Sequence, residues 1–568
     1  MKMKERNAQL KNTLGGMATK ERIQEVASMP KEDTVNRQGY KAYSLTDEFR
    51  LITMLNTLKI KDQYYRSENE TLKELRDLVE KIGMKNPYFL AQAIVYSRCM
   101  GEGMRTINQL AATLAAPFIA GTPWAKAFYG LFDKKAKQGG VIFRVDDMGA
   151  IKDAYAALNS SPLSNAMKKG FANALVNLDA YSLAKYKDTV IDIANLVHPN
   201  SRLSKATITI EGKEMKVLDA LMNGLTVSAD TWEVAQSEAG QEVAKAVREG
   251  KITRDEADKI LAESKADNWE AMLAEGRLGV MAALRNIRNI MKNPRKEMID
   301  NWCKLITDAE KVRKALILPI YFDLAYDVVV SEFAQVDYSP KVQQALQDGY
   351  IASIPNLANL IQGRTCIIVD CSGSMSCAIS NGKDNPYSRR NAYGYYSSRE
   401  TERCSYKAGL IAATIAKATG ADVIKFGTRA SYFGYNKHKN VFALAKEIGT
   451  HEYGGTNPGT AFEVMRQCRK TYDRIIFLSD NEANYFKPTS GYYAQYVHDV
   501  GSPYIYCVDL AAYGTTPLKS DKVSYHYGYG AELYDSIANN EFQPGEHFEK
   551  IKKVVIDPNY TPTKEDLA

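Results

Sequence analysis

The sequence predicts two architectures in one chain: antiparallel helical pairs up to about residue 360, then an open, mostly parallel α/β sheet. Two patterns say so. Helix caps and stops recur roughly every fifteen to twenty-five residues in the first part, with few strand-like runs, and after Gly363 short apolar runs alternate with helical periodicity. At 568 residues, 45% apolar and 25% charged, the chain has room for two to four domains in an ordinary globular composition, which excludes disordered, collagen-like and disulfide-scaffold classes.

The first residues, MKMKERNAQLKNTLGG, are polar and charged, so no secretory signal is expected in them. Asn69 is expected to open a helix that Gly83 closes, Asn86 with Pro87 the next (YFLAQAIVYSR), and Thr122 with Pro123 another (WAKAFYGLF). The longest uncharged stretch, Thr106 to Ala125, is long enough to cross a bilayer but carries Asn108, Gln109, Thr113, Pro117, Gly121 and Pro123, and is expected to be buried core. Ser228 to Asn268, rich in Glu, Ala, Lys and Asp, reads as a peripheral, solvated helical hairpin containing a Thr253/Glu256 capping box. Ser339 with Pro340 starts the last long helix. Helices of this length joined by short turns suggest a helical-pair solenoid, although no clean period is present.

In the second part TCIIVD is a continuous apolar run, as expected of a strand buried on both faces. KAGLIAATIAKATG, VFALAKEIG and TAFEVMRQCRK read as helices, and ADVIKFG, DRIIFLSD and YIYCVDL as strands. Between the first strand and its helix, Ser380 to Glu402 is an insertion of Tyr, Ser, Asn, Gly and Arg, expected as a long loop on the ligand side. The expected division is an N-terminal arm at 1–39, a helical module at 40–361 and the α/β domain at 362–568.

Of eight cysteines, Cys366, Cys371, Cys377, Cys404, Cys468 and Cys507 fall in the last third without a C-x-x-C, as reduced thiols of a cytosolic protein would. The net charge of +7 is mild, and it is spread as 50 basic against 45 acidic residues up to 360 and 24 against 22 beyond, so only local clusters can argue for nucleic acid. From Lys126 to Lys205 there are twelve basic and seven acidic residues, and from Arg285 to Lys314 nine and four. Such residues can neutralise phosphates, or can be solvated helix faces.

Ligands of open α/β sheets bind beyond the carboxyl ends of the strands. There the sequence places Asp370, Ser372 and Ser374 in one tight loop, Thr456 in a Gly454-Gly455-Thr456 turn, and Asp480 at the end of IIFLSD. Carboxylate and hydroxyl oxygens without His or Cys suit a hard divalent cation such as Mg²⁺, with room for an outside acceptor. The competing reading is a polar loop that caps the next helix. A phosphohydrolase reading finds no second acid two residues after Asp370, the six His show no zinc spacing, and no G-x-S-x-G, P-loop or G-x-G-x-x-G stands at a strand-to-helix turn, so no enzyme is expected.

The D-x-S-x-S, Thr and Asp in chain order resemble the metal-ion-dependent adhesion site of von Willebrand factor A domains. With a helical body in front, the layout resembles the Ro ribonucleoprotein family, which carries the TROVE module. Tyr96-Ser97-Arg98 with Gly101-Glu102-Gly103-Met104-Arg105, Met167-Lys168-Lys169-Gly170, Leu183-Ala184-Lys185-Tyr186-Lys187 and Val197-His198-Pro199 are similar to family stretches. So are Ala282-Ala283-Leu284-Arg285-Asn286-Ile287, Leu318-Pro319 with Tyr321, Gly454-Gly455-Thr456 and Ser479-Asp480-Asn481-Glu482, and the similarity runs from about residue 40 to the end. The long insertion, and Ser479 where many relatives have Thr, depart from it.

The resemblance implies a closed solenoid ring of HEAT-like helical pairs whose ends are bridged by a Rossmann-like von Willebrand factor A domain. It implies a cytoplasmic, noncatalytic protein binding small noncoding Y-like RNA on its outer surface and single-stranded 3′ ends of misfolded RNA through the hole. The role would be RNA quality control, or that of an adaptor for an exoribonuclease, with no membrane partner. Candidate RNA contacts are Lys168, Lys169, Lys185, Lys187, His198, Arg285 and Arg288. A histidine such as His198 is more often a packed or hydrogen-bonded structural residue than an RNA contact, and Arg285 and Arg288, three apart on one helix face, either line the hole or pair with acids. The alternative is a Mg²⁺-dependent protein-interaction module that binds partner carboxylates without an RNA role.

Overall fold

The computed structural model describes residues 20–58, 63, 65–100, 104–130, 140–159, 162–210, 213–225, 227, 243, 245–247, 249, 251–315, 320–353, 361–376, 403–450, 454–528, 533–534, 536–537 and 546–566. The expectations placed on Gly101 to Gly103, Lys134, Lys135, Lys137, Leu318-Pro319 and Ser380 to Glu402 lie outside the described residues.

Among the described residues the strands are, in chain order, β1 (Thr34–Val35), β2 (Lys41–Ser44), β3 (Thr207–Ile210), β4 (Lys213–Lys216), β5 (Thr365–Asp370), β6 (Asp422–Phe426), β7 (Ala430–Phe433), β8 (Arg474–Ser479), β9 (Tyr504–Asp509), β10 (Thr515–Thr516) and β11 (Val523–Tyr527). Six form the main sheet in the order β11-β9-β8-β5-β6-β7, parallel except for β7, which runs antiparallel to β6. Every residue of β5 and β8 is buried, which is why they read as unbroken apolar runs. The edge strands β7 (ASYF) and β11 (VSYHY) were not expected, because their mixed composition reads as loop until a neighbour supplies half of their hydrogen bonds.

Helices cover the sheet. Gly459–Gln467 and Thr489–Asp499 set Phe462, Met465, Tyr493, Tyr496 and Val497 against Ile368, Ile424, Phe477 and Ile505. Helix Cys404–Thr419 packs against Val441–Ile448 at a point where only glycine fits, since a Cβ on Gly409 would lie 2.3 Å from the carbonyl oxygen of Ala445.

The chain forms two compact units that follow a different division from the linear one at 39 and 361. One gathers Met1–Lys85, Tyr96–Ala111 and Ile354–Lys553; the other gathers Asn86–Val95, Ala112–Ser353 and Val554–Ala568. In the sheet unit β1, β2 and β10 make a small antiparallel sheet, and Phe49 of helix Asp47–Thr57 packs edge-on against Tyr525 and Tyr527 of β11. The Arg66 side chain, fully buried, donates to Glu74 Oε2 at 2.8 Å and to the Ala512 carbonyl at 3.0 Å. The expected helix start at Asn69 is at Glu68, because Ser67 and Glu70 form the reciprocal cap, and Gly83 lies inside a helix that runs to Lys85. The uncharged stretch breaks into Thr106–Leu114 and Ala116–Ile119, with buried Asn108 donating to the carbonyls of Leu55 and Met104. Among the described residues no helix is long and apolar enough to cross a membrane.

The helical unit is built on Trp124, Trp269 and Trp302, each at most 1% exposed, and the Trp302 indole donates to the Ala283 carbonyl at 3.1 Å. Its close approaches are again glycines: Gly170 lies against Tyr129, and Gly349 between Phe322 and Ile306. Residues from Val554 onward belong to this unit and not to the sheet, since Gln92 donates to the Val554 carbonyl at 2.9 Å and Tyr560 packs on Tyr88. Helix Arg254–Ala274 has the expected Thr253/Glu256 capping box. The helix runs past the segment expected to be peripheral, and there Trp269 and Leu273, with Ala266 just before them, form a buried apolar face.

Candidate metal centre

β5 is held on both sides, so its last residue, Asp370, leaves the sheet at the carboxyl end fully buried. The next N–H, from Cys371, donates to the Phe426 carbonyl at 2.8 Å and turns the chain sharply. Ser372 N–H then donates to Asp370 Oδ1 at 2.9 Å, and Ser372 Oγ lies 3.2 Å from Ser374 Oγ on a 3₁₀ turn. From β8, Ser479 Oγ donates to Asp370 Oδ2 at 2.6 Å, Asn481 takes a left-handed φ of 65°, and Asp480 Oδ1 accepts the Glu482 N–H at 3.1 Å. Thr456 is fixed by Asn484, whose Oδ1 accepts the Thr456 N–H at 2.7 Å and whose N–H donates to the Thr456 carbonyl at 3.0 Å.

Asp370, Ser372, Ser374, Thr456 and Asp480 are each at most 2% exposed. Burial, then the charge of Asp480, pushes the Asp370 carboxyl up to about 7. Asp480 is raised as well, by burial, against the pull of a hydrogen bond from Ser374. Asp480 Oδ2 is buried with no hydrogen-bond partner. An orphaned carboxylate oxygen, two acids that repel each other and the hydroxyls of Ser372 and Ser374 beside them are an oxygen donor set that a hard dication would neutralise, so these residues fit the expected cation. Among the described residues no group of three or more His, Cys, Asp or Glu is arranged to hold a metal, so the site would rest on two carboxylates and the hydroxyls.

Three further buried or bridging groups were not anticipated. Glu482 is fully buried, its carboxyl pushed up to about 8 by burial and by Asp480, and its Oε2 accepts the Arg37 N–H at 3.0 Å. Asp509 ends β9, accepts the N–H groups of Ala511 and Ala512, and is raised to about 6 by burial. Its strand-end position was a usable signal. Arg37 carried none, because it acts there through its backbone.

The basic candidates lie on the helical unit. Lys168, half-buried, and exposed Lys169 stand on helix Asn165–Asn177; exposed Lys185 ends helix Ala180–Lys185, and exposed Lys187 begins Lys187–Val197. Lys168, Lys169 and Lys187 have no ion-pair partner among the described residues, and the Lys185 ammonium lies 5.6 Å from the Tyr181 ring centroid. His198 is exposed and ends its helix in the left-handed conformation at φ 49°. Arg285 lies over Tyr321 at 5.8 Å, whereas Arg288 is bidentate to Glu332, its Nε 2.9 and 2.8 Å from the two carboxylate oxygens. In the same cluster Arg295 pairs with Asp267 and Glu270, Lys311 with Asp308, and Lys314 with Glu310.

No family model matches the chain, and no curated protein matches it. Its structure is similar to the crystal structure of the Ro (RSR) protein of Deinococcus radiodurans, with a TM-score of 0.51 and 16% identity over 87% of this chain and 100% of that one. At that identity the likeness is one of fold: a helix-rich body with a mixed-sheet α/β domain, Ro-like over 87% of the chain.

Proposed function

We propose that the chain is a noncatalytic, cytoplasmic RNA-binding protein of the Ro type. The observation that carries the reading is the fold it shares with the whole length of the Deinococcus radiodurans Ro protein. On this reading the helical pairs close into a ring. Small Y-like RNA binds the outer surface through Lys168, Lys169, Lys185 and Lys187, single-stranded 3′ ends of misfolded RNA enter the hole, and an exoribonuclease is a candidate partner. Three of those lysines, free of ion pairs, support phosphate neutralisation without base readout.

The same reading places a divalent cation, Mg²⁺ by donor chemistry, on Asp370, Ser372, Ser374, Thr456 and Asp480. Bound there, it supplies an electrophilic coordination position for an outside oxygen ligand. Asp480 Oδ2, buried and unpartnered, also favours a second reading in which that ligand is a partner's carboxylate and RNA has no part.

Gel-shift titrations of an RNA hairpin with and without a single-stranded 3′ tail, across salt concentrations and with EDTA or Mg²⁺, test the proposal. Tail-dependent, salt-sensitive binding that survives EDTA is expected. Absence of binding to either RNA refutes tail capture and moves the weight to metal-dependent adhesion.

A further inference from the structure

We propose that the turn from Asn36 to Tyr40, which joins β1 to β2, sets the cation affinity of the Asp370–Asp480 centre, with Asn36 and Gln38 as positioning residues that act through the loop after β8. This deepens the cation reading and rests on it.

The loop from Asp480 to Pro488 links β8 to helix Thr489–Asp499 without regular structure of its own. It carries Asp480 and, through the two bonds between Asn484 and Thr456, fixes a second candidate ligand. Its carbonyls are satisfied from the far end of the chain. The Asn36 amide donates to the Ala483 carbonyl at 2.6 Å, and the Gln38 amide donates to the Glu482 carbonyl at 3.0 Å. Between them the Arg37 N–H donates to Glu482 Oε2 at 3.0 Å, which leaves Glu482 Oε1 buried without a hydrogen-bond partner. Tyr40 then meets Phe486 edge-on, with ring centroids 5.7 Å apart. Glu482 passes this constraint directly to a ligand, because its own N–H donates to Asp480 Oδ1 at 3.1 Å.

The turn holds its own shape without the loop. Asn36 Oδ1 accepts the N–H groups of Gln38 and Tyr40 at 3.1 and 3.0 Å, the Asn36 N–H donates to the Tyr40 carbonyl at 2.8 Å, and Gly39 supplies the left-handed φ of 81°. Behind it, the Arg37 guanidinium donates to Glu74 Oε2 at 2.8 Å and lies 5.6 Å from the Tyr513 ring centroid. A turn whose task was only to reverse the hairpin would need none of the three bonds to Glu482 and Ala483. Oxygen ligands of a small dication must stand close to one geometry, and the groups that orient them typically account for roughly ten- to a hundredfold in metal affinity. Such coupling is reciprocal, so a bound cation tightens the turn by the factor by which the turn tightens the cation.

The test measures Mg²⁺ binding by titration calorimetry on the full-length protein and on Gln38→Ala, Asn36→Ala and Tyr435→Phe. Hydrogen exchange of residues 36–44 is followed by mass spectrometry in Mg²⁺ and in EDTA. Gln38→Ala removes one bond to the loop, leaves the bonds that close the turn, and should weaken Mg²⁺ binding about threefold. Asn36→Ala loosens the turn as well and should weaken it about tenfold. Tyr435→Phe removes hydrogen bonds to the Ala416 and Ala421 carbonyls at the amino edge of the sheet, away from the centre, and should bind Mg²⁺ as the wild-type protein does. Exchange at 36–44 should slow on addition of Mg²⁺ in the wild-type protein and slow less in Gln38→Ala. Unchanged Mg²⁺ affinity in Gln38→Ala, an equal loss in Tyr435→Phe, or exchange at 36–44 that ignores Mg²⁺ overturns the proposal and leaves the cation reading standing. Absence of Mg²⁺ binding by the wild-type protein overturns both.

Discussion

Without its cation the sheet unit should lose stability as pH rises toward 7, and Mg²⁺ should offset most of that loss. Asp370 is raised from an ordinary 3.8 to about 7 by burial and by Asp480. Between those values the folded state holds a proton that the unfolded chain has released, so stability falls with rising pH and levels off above about 7. Each tenfold in proton affinity corresponds to about 1.4 kcal/mol, so the Asp370–Asp480 pair costs the cation-free protein roughly 4 kcal/mol at pH 8 relative to pH 4. Counted once for the pair, and at ~2–4 °C per kcal/mol for a domain-sized unit, this is on the order of 10 °C in Tm. Mg²⁺ at about a hundredfold its Kd should return ~2.7 kcal/mol. Scanning calorimetry from pH 5 to 8, in EDTA and in Mg²⁺, should show two curves that diverge as pH rises. Asp370→Asn should flatten the EDTA curve and abolish the Mg²⁺ response. Parallel curves for the wild-type protein would refute the reasoning, because the two acids would then be stable together without a cation.

Further changes probe other parts. Lys169→Glu with Lys187→Glu should lower RNA affinity and reduce the steepness of its log–log salt dependence by about two, as a filter-binding series would show; an unchanged slope removes these residues from the RNA surface. Glu74→Ala leaves the fully buried Arg66 side chain without its carboxylate and should cost about 3–5 kcal/mol by urea unfolding. Glu74 is held below its usual range by Arg66, Arg50 and Arg37 against the opposing effect of burial, so the stabilisation it provides is present above about pH 4.5 and is lost as pH falls through the lower folded value. Gly349→Ala would put a Cβ 2.4 Å from Phe322 and 2.5 Å from the Ile306 carbonyl and should destabilise the helical unit by roughly 1–3 kcal/mol, visible as an early transition in far-ultraviolet circular dichroism.

The parts of the sheet domain that were legible are those whose signal is local. β5 and β8 are buried on both faces and therefore written as unbroken apolar runs, and Asp370, Ser372 and Ser374 lie within five residues of one strand end. β7 and β11 were not legible because each borrows its strand character from one neighbour. The attachment of residues 34–44 to the sheet unit was hidden for a different reason. Arg37 holds Glu482 by a backbone N–H, and β2 pairs with β10 through main-chain atoms, so neither contact requires a particular residue type.

Charge counting failed in a way that bears on function. The segment from Arg285 to Lys314 has the same basic excess, five, as that from Lys126 to Lys205, and by composition either is a phosphate surface. The structure separates them by where the acids sit. Arg288 is answered by Glu332, 44 residues away, and Arg295 by Asp267 and Glu270, 28 and 25 residues away, so the acids that answer these two arginines lie outside the window in which the charge was counted. An arginine already bidentate to a carboxylate must break that pair to take a phosphate, whereas Lys169 and Lys187 break nothing. If RNA binds this protein by releasing counterions, the steep part of its salt dependence therefore belongs to the helices at 165–197, and Arg288 contributes mainly to holding Ile287–Lys292 against Ile320–Glu332.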